Sequence, residues 1–188
     1  MNPSKTRNAA EFMLMQGILG MRKASLSHDD MRRGGWRKKK GGRRSFYGCT
    51  VGLIGYGEIA KLLIPYLVEF ACCIKVHSAH YPDGHNYTMA EALDADVIYV
   101  LRALNDKTQG SVGRREIESL KPCTVFVNSA RAGIVDNAAL LERLQKGDIF
   151  ACLDVFDTEP LPADSPFRSL PNVFLTSHIA GSTEEIRK

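Results

Sequence analysis

Six short apolar runs, separated by polar or amphipathic stretches, dominate the sequence from residue 50 onwards. Runs of this length are typical of strands buried on both faces, and several of the intervening segments have helical periodicity. Strands connected by helices lie parallel, because each helical crossover returns the chain to the same edge of the sheet. The pattern therefore predicts an α/β fold with a doubly wound parallel sheet of about six strands. The predicted strands span 50–54, 74–77, 97–101, 124–128, 150–154 and 173–176, and the predicted helices span 58–70, 89–93, 114–120 and 137–146.

A further helical segment, from residue 8 to about residue 33, precedes the predicted sheet. Phe12, Met15 and Leu19 recur at helical spacing, which predicts an apolar face. Additional apolar residues surround the rest of the turn, and this favours burial on more than one side, as between domains or subunits. The predicted units are a connecting helix with a basic loop, residues 1–45, and a sheet domain, residues 46–188.

The positive charge of the chain is concentrated in residues 32–44. This segment contains eight basic residues and no acidic one, and without it the formal net charge of +4 becomes negative. Basic clusters next to an aromatic side chain, here Trp36, are able to bind phosphates and stack on bases. Glycines on both sides favour a solvated, flexible linker instead. A solvated linker is therefore expected and a nucleic-acid partner is not, with a nucleic-acid-binding patch as the alternative.

The cysteines give no indication of a metal site, because they form no CxxC pair and no metal-ligand spacing. Four of them lie in or just before apolar runs, so we interpret them as small buried hydrophobic residues. An odd number of such thiols favours a reducing compartment, the cytoplasm. No apolar run approaches the roughly 20 residues of a membrane helix, and no secretory signal is predicted. The five are Cys49, Cys72, Cys73, Cys123 and Cys152.

A glycine-rich turn joins the first predicted strand to the first predicted helix. Gly55, Gly57 and Ala60 follow the spacing of a dinucleotide-binding fingerprint. Gly55 allows a tight turn, Gly57 lets the backbone approach a diphosphate, and Ala60 keeps the helix close to the strand. The helix N-terminus then offers free amides to the phosphates. The turn predicts a Rossmann-type domain that binds NAD or NADP. The remaining predicted contacts on this turn are Tyr56, Glu58 and Ile59.

The end of the second predicted strand bears on the choice between the two cofactors. An acidic residue there commonly binds the adenosine ribose of NAD. This chain has Ser78 at that position and His80 close by. A neutral side chain leaves room for a 2′-phosphate, so NADP is possible and the choice stays open.

Three longer stretches follow in the second half of the chain, at residues 127–136, 151–162 and 171–183. They contain, in order, an arginine after a predicted strand, an acidic residue before a proline, and a histidine near the end of the chain. Together with the glycine-rich turn, their order and spacing resemble the D-isomer-specific 2-hydroxyacid dehydrogenases. The resemblance covers residues 9–188.

The resemblance implies a catalytic role for three side chains. His178 is the implied acid–base, since an imidazole exchanges protons near neutral pH. Glu159 is the implied carboxylate that holds the imidazole ring, and Arg131 is the implied clamp for the substrate carboxylate. Each residue type also has a structural interpretation: a turn cap for Arg131, a surface carboxylate for Glu159 and a structural histidine for His178.

The same resemblance implies further contacts with the cofactor. Asp154 is expected near the nicotinamide, although an aspartate at this place is also a common turn cap, and Ser129 and Ala130 are expected to line the nicotinamide pocket. The family commonly has a His- or Cys-x-Pro turn over the cofactor after the third strand, where this chain has Leu101, Arg102 and Ala103. The shape of that loop is therefore open. Leu101 and Arg102 are expected to contact the cofactor there. The remaining implied contacts, after the histidine, are Ala180 and Gly181.

The implied activity is interconversion of a 2-oxo acid and its D-2-hydroxy acid with NAD or NADP. Glyoxylate, hydroxypyruvate and 3-phosphoglycerate are substrates typical of the family. The resemblance also implies a homodimer, with the helix after Asn8 in the contact, and it suggests a fragment from which most of a substrate domain is absent. The alternatives are a cofactor-sensing interaction protein, like the corepressors that share this fold, and a cofactor-binding remnant without turnover.

Overall fold

The computed structural model describes residues 3–36, 42–82 and 86–184. Six strands within these ranges form one sheet, in which every neighbouring pair is parallel. The predicted α/β, doubly wound architecture is confirmed, and each strand end lies within one residue of its prediction. The strands are β1 (Thr50–Ile54), β2 (Cys73–His77), β3 (Val97–Val100), β4 (Val125–Asn128), β5 (Phe150–Leu153) and β6 (Val173–Leu175).

The order of strands across the sheet is β2-β1-β3-β4-β5-β6. The chain therefore moves in one direction from β1 to β2 and in the other direction from β3 onwards. This reversal creates a crevice outside the carboxyl ends of β1 and β3, which is where doubly wound sheets bind their ligands.

Helices cover both faces of the sheet. Two of them, α1 and α3, contribute Met13, Leu63 and Leu67 to the core on one face. On the other face Leu93, Ile117 and Leu140 come from α4, α5 and α6. Among the described residues, no helix combines the length and apolar character needed to cross a membrane. The helices are α1 (Pro3–Arg22), α2 (Ala24–Arg32), α3 (Glu58–Glu69), α4 (Met89–Leu93), α5 (Arg114–Glu118) and α6 (Asn137–Gln145).

The central strand β3 shows how the two cores are divided. Val97 and Tyr99 face the core that contains α1 and α3, whereas Ile98 and Val100 face the other core. All four side chains are fully buried. Each buried aliphatic side chain of this size contributes about 1.5–3 kcal/mol to folding. This two-sided burial is the physical reason why the strands are continuous apolar runs.

The N-terminal helical segment differs from its prediction in two ways. It begins at Pro3, and it consists of two helices separated at Lys23, not of one helix. Lys23 has a φ of 49°, in the left-handed region, and this conformation interrupts the helical hydrogen-bond ladder.

The buried face of α1 is also different from the predicted one. Ala9, Met13, Gln16 and Gly20 are buried, whereas Met15 is exposed and the other two members of the predicted face are only partly buried. Small residues on the buried face let the helix axis approach the sheet closely. The predicted apolar face is therefore not the buried face, although Leu19 packs against the core.

The basic segment is only partly described, because residues 37–41 lie outside the described residues. Its last residue, Arg44, belongs to the folded domain. The guanidinium donates one hydrogen bond of 2.7 Å to Asp96 and another of 2.7 Å to the carbonyl of Cys123. Arg44 is therefore a structural ion-pair partner.

The interpretation of the cysteines as buried hydrophobic residues holds for Cys49 and Cys152 but is wrong for Cys73 and Cys123, which are exposed. Cys73 begins β2, an outermost strand of the sheet. Cys123 lies in the turn before β4 with a φ of 68°. All five thiols are free.

Candidate functional site

The residues predicted for the site all follow the carboxyl end of a strand. Because the sheet is fully parallel, these ends lie along one edge. The glycine-rich turn follows β1, Ser78 follows β2, and the loop with Leu101 and Arg102 follows β3. The remaining predicted residues follow β4 (Ser129, Ala130, Arg131), β5 (Asp154, Glu159) and β6 (His178, Ala180, Gly181).

The glycine-rich turn has the geometry that a dinucleotide diphosphate requires. Gly55 has a φ of 114°, and a Cβ there would lie 2.9 Å from the backbone of Leu101 and Arg102. Gly57 is different, since no atom of the described residues lies within 4 Å of the position of its Cβ. The helix α3 begins directly afterwards, without a side-chain cap. The open space above Gly57 and the uncapped amides of Glu58 and Ile59 therefore fit a phosphate group.

Ser78 lies in a compact turn after β2. Its backbone N–H donates to the Asn86 side chain at 2.8 Å, and its hydroxyl oxygen accepts the N–H of His80 at 3.2 Å. Tyr81, in the same turn, packs edge to face against Tyr56 with the ring centroids 5.0 Å apart. The turn therefore has a neutral, buried serine where an NAD-binding domain commonly has a carboxylate.

The turn after β4 is held by Asn128. Its side chain donates to the carbonyl of Arg131 and accepts the N–H of Ala130, each at 3.2 Å. The hydroxyl of Ser129 donates to the side chain of Gln16 on α1 at 2.7 Å. These contacts fix the backbone of the turn and leave the guanidinium of Arg131 exposed.

Asp154 holds the turn that contains His178. The Asp154 carboxylate is fully buried. It accepts hydrogen bonds from the Thr176 hydroxyl at 2.6 Å and from the backbone N–H groups of Ile179 and Ala180, each at 2.9 Å. His178, enclosed by these contacts, has a φ of 56°, a conformation uncommon for a non-glycine residue and frequent at functional sites.

Glu159 orients the imidazole of His178. One Glu159 oxygen lies 2.8 Å from Nδ1 of His178, and the other accepts the N–H of Phe156 at 3.0 Å. An ionised carboxylate only accepts hydrogen bonds, so Nδ1 is the donor and Nε2 is left for another partner. The hydrogen bond to His178 is the main reason why the pKa of Glu159 lies below its usual range.

Replacing His178 by alanine should raise the pKa of Glu159 towards its ordinary value, because the largest stabilising contact of the ionised carboxylate is lost. A pH titration of the Glu159 side-chain carboxyl by ¹³C NMR measures this shift directly. Glu142 is the matched control: its pKa is lowered by its hydrogen bond to Arg114, far from His178, and should stay unchanged. An unchanged pKa of Glu159 in the variant would contradict the pairing.

Arg131 acts on the same pair electrostatically. Its positive charge is a further cause of the lowered pKa of Glu159, which indicates that the guanidinium lies near this carboxylate. An open cavity of about 750 Å³ lies beside Glu159 and His178, with Phe156 and Leu175 among its apolar lining residues. The described residues thus bring Glu159 and His178 into direct contact, whereas the Arg131 guanidinium donates a hydrogen bond of 2.6 Å to the carbonyl of Ala130 and acts on Glu159 only through its charge.

Four side chains that form hydrogen bonds to the predicted site residues were not predicted from the sequence. The position of Asn128, directly after an apolar run, is a turn signal that could have identified it. Gln16 gave no signal, since 113 positions separate it from its partner Ser129. The remaining two are Asn86 and Thr176.

The geometry agrees with what similarity to known proteins indicates. Residues 13–180 match the family described as D-isomer specific 2-hydroxyacid dehydrogenase, NAD binding domain. Glyoxylate/hydroxypyruvate reductase B from Enterobacter sp. (strain 638) is 36% identical over 152 residues, which cover 75% of this chain and 47% of the relative. D-3-phosphoglycerate dehydrogenase from Methanocaldococcus jannaschii is 33% identical over 191 residues, 96% of this chain and 36% of the relative. The chain thus spans about half or less of the length of these relatives.

A solved structure gives the same result. The D-isomer specific 2-hydroxyacid dehydrogenase from Xanthobacter autotrophicus Py2, in complex with NADPH and MES, superposes with a TM-score of 0.84 at 26% identity. The superposition covers 97% of this chain and 78% of that one. The resemblance noted in the sequence is thereby confirmed, and the chain belongs to the D-isomer specific 2-hydroxyacid dehydrogenase family, of which it contains the NAD binding domain.

Proposed function

We propose that this domain binds NAD(H) or NADP(H) along the carboxyl ends of β1 to β3. We further propose that Arg131, Glu159 and His178 serve the interconversion of a 2-oxo acid and its D-2-hydroxy acid. The observation that carries the proposal is the 2.8 Å hydrogen bond between Glu159 and His178, beside which the charge of Arg131 acts.

The acid–base step follows from the orientation of the imidazole. In the reductive direction, the NADH or NADPH held at the glycine-rich turn would be the source of the hydride for the carbonyl carbon of the 2-oxo acid. Nε2 of protonated His178 donates its proton to the carbonyl oxygen, which becomes the hydroxyl. Glu159 holds Nδ1 and so fixes the orientation of the ring, and Arg131 binds the substrate carboxylate through charge-assisted hydrogen bonds. Oxidation of the 2-hydroxy acid reverses these transfers.

Cofactor binding is tested at Gly57. A methyl group at this position contacts no atom of the described protein, so Gly57→Ala should fold normally. The methyl group would, however, occupy the space of the diphosphate, and we expect a loss of NADH affinity of roughly tenfold to a hundredfold. Isothermal titration calorimetry measures the affinity. Gly113→Ala, at the N-cap of α5, is the matched control and should bind NADH normally. Equal affinity of both variants would contradict the proposed cofactor position.

Turnover is tested separately. Oxidation of NADH and of NADPH is followed at increasing concentrations of glyoxylate and hydroxypyruvate. Substrate-dependent oxidation supports the dehydrogenase, and dinucleotide binding without oxidation supports a cofactor-binding remnant instead.

Ser78 should influence the choice between NAD and NADP. We expect Ser78→Asp to shift the preference towards NADH by roughly tenfold or more, since a carboxylate binds the ribose hydroxyls and repels a 2′-phosphate. The ratio of the two dissociation constants measures the change, with Ser78→Asn as the uncharged control. An unchanged ratio would mean that the adenosine ribose binds elsewhere.

We also propose that the protein is a homodimer in the cytoplasm. Met15 is exposed and Phe12 is only partly buried, so α1 keeps apolar surface that suits a subunit contact. Five free cysteines suit a reducing compartment. The division at residue 45 between a connecting segment and the cofactor domain stays a prediction.

A further inference from the structure

A half-buried arginine with no partner lies at the edge of the sheet that carries the site. Arg102 follows Leu101, just beyond the end of β3. Within the described residues, its guanidinium forms no hydrogen bond and no ion pair. Burial lowers the pKa of Arg102, and no carboxylate offsets this effect. Guanidinium groups lose hydration when they are buried and are usually compensated by an anion.

Arg102 lies against the glycine-rich turn. A Cβ on Gly55 would be 2.9 Å from the backbone nitrogen of Arg102 and 3.0 Å from its Cγ, so the arginine side chain packs directly on this glycine. The N–H of Leu101 donates to the carbonyl of Ile54 at 2.9 Å, which fixes the two strand ends together. β1 and β3 flank the crevice at which the strand order reverses. The unpaired cation is therefore part of the crevice wall.

We propose that Arg102 binds a phosphate oxygen of the dinucleotide diphosphate, an assignment that rests on the proposed function. The diphosphate belongs at the Gly55–Gly57 turn, against which Arg102 packs. The adenosine ribose and any 2′-phosphate belong near Ser78, at the end of β2, on the opposite side of β1. The arginine thus adds a side-chain charge to a phosphate site otherwise made of backbone amides. It occupies the loop in which this chain departs from the His- or Cys-x-Pro pattern of its family.

The test compares Arg102→Gln with the unsubstituted full chain by calorimetric titration of NADH, NADPH and ADP-ribose. ADP-ribose carries the diphosphate and lacks nicotinamide. Loss of one charge-assisted contact should weaken all three ligands by the same factor, about tenfold or more. Arg102→Lys should restore part of the affinity. Arg115→Gln removes an equal charge from an exposed position on α5 and should change none of the three.

The pattern of losses distinguishes the possible anions. A loss confined to NADPH would assign Arg102 to the 2′-phosphate and overturn the diphosphate assignment. Unchanged affinity for all three ligands would overturn it as well, while leaving the proposed cofactor binding intact. Absence of binding to the unsubstituted chain would overturn the proposed function and this assignment together. The thermal unfolding midpoint of Arg102→Gln should not fall, since no protein partner is lost, and this separates a binding defect from a folding defect.

Discussion

Replacement of His178 by alanine should lower the rate of NADH- or NADPH-dependent reduction of glyoxylate by about a hundredfold or more. The variant has no group at this position to donate a proton to the developing alkoxide. A water molecule in its place is a poor substitute, because no contact orients it as Glu159 orients the imidazole of the unsubstituted protein. Steady-state absorbance at the wavelength of the reduced nicotinamide measures the rate.

The same variant should bind the reduced cofactor with nearly unchanged affinity, since the proposed diphosphate site is the Gly55–Gly57 turn after β1 and His178 follows β6. His28→Ala is the matched control, because His28 is exposed on α2 and away from the strand ends. It should have normal turnover and normal affinity. Normal turnover in His178→Ala would refute the proton-transfer role.

Replacement of Asp154 by alanine should lower the free energy of unfolding by about 2–4 kcal/mol. The Thr176 hydroxyl and the N–H groups of Ile179 and Ala180 all donate to this buried carboxylate and would lose their acceptor. Urea denaturation followed by circular dichroism measures the change. Asp164→Ala is the control, because Asp164 is exposed and no hydrogen bond to its side chain is found within the described residues.

Asp154→Ala should also release the backbone of His178 from its left-handed conformation. The turnover of Asp154→Ala should then fall even in the absence of urea, where the variant is folded. A variant as stable as Asp164→Ala would contradict the role of Asp154 as the support of this turn.

Most of the fold was predictable because the strands are buried on both faces. Such strands must be apolar along their whole length, and β3 is an example in which all four residues are buried. The packing face of α1 was not predictable in the same way. Its contact with the sheet is made by Gly17 and Gly20 as well as by Met13, and small residues carry little hydrophobic signal. The break at Lys23 has no sequence signal, since lysine is a good helix former.

The sequence was sufficient to name the three principal residues of the candidate site. Arg131, Glu159 and His178 were identified from motifs, and the parallel sheet brings the ends of their strands to one edge. The hydrogen bonds that hold these side chains in place were not predictable from the sequence. The position of Asp154 near the nicotinamide stays a prediction, whereas the hydrogen bonds from both of its oxygens to the turn around His178 were not foreseen. Such partners depend on the tertiary positions of distant segments, which local patterns do not contain.

The end of β5 restrains His178 twice. Asp154 fixes the backbone on either side of it, and Glu159, five positions later, fixes its ring. The entropic cost of ordering this side chain is therefore met when the domain folds. Binding of cofactor and substrate does not have to offset it. In its proposed acid–base role, His178 is therefore aligned before cofactor and substrate bind, and this alignment depends on no rearrangement that they cause.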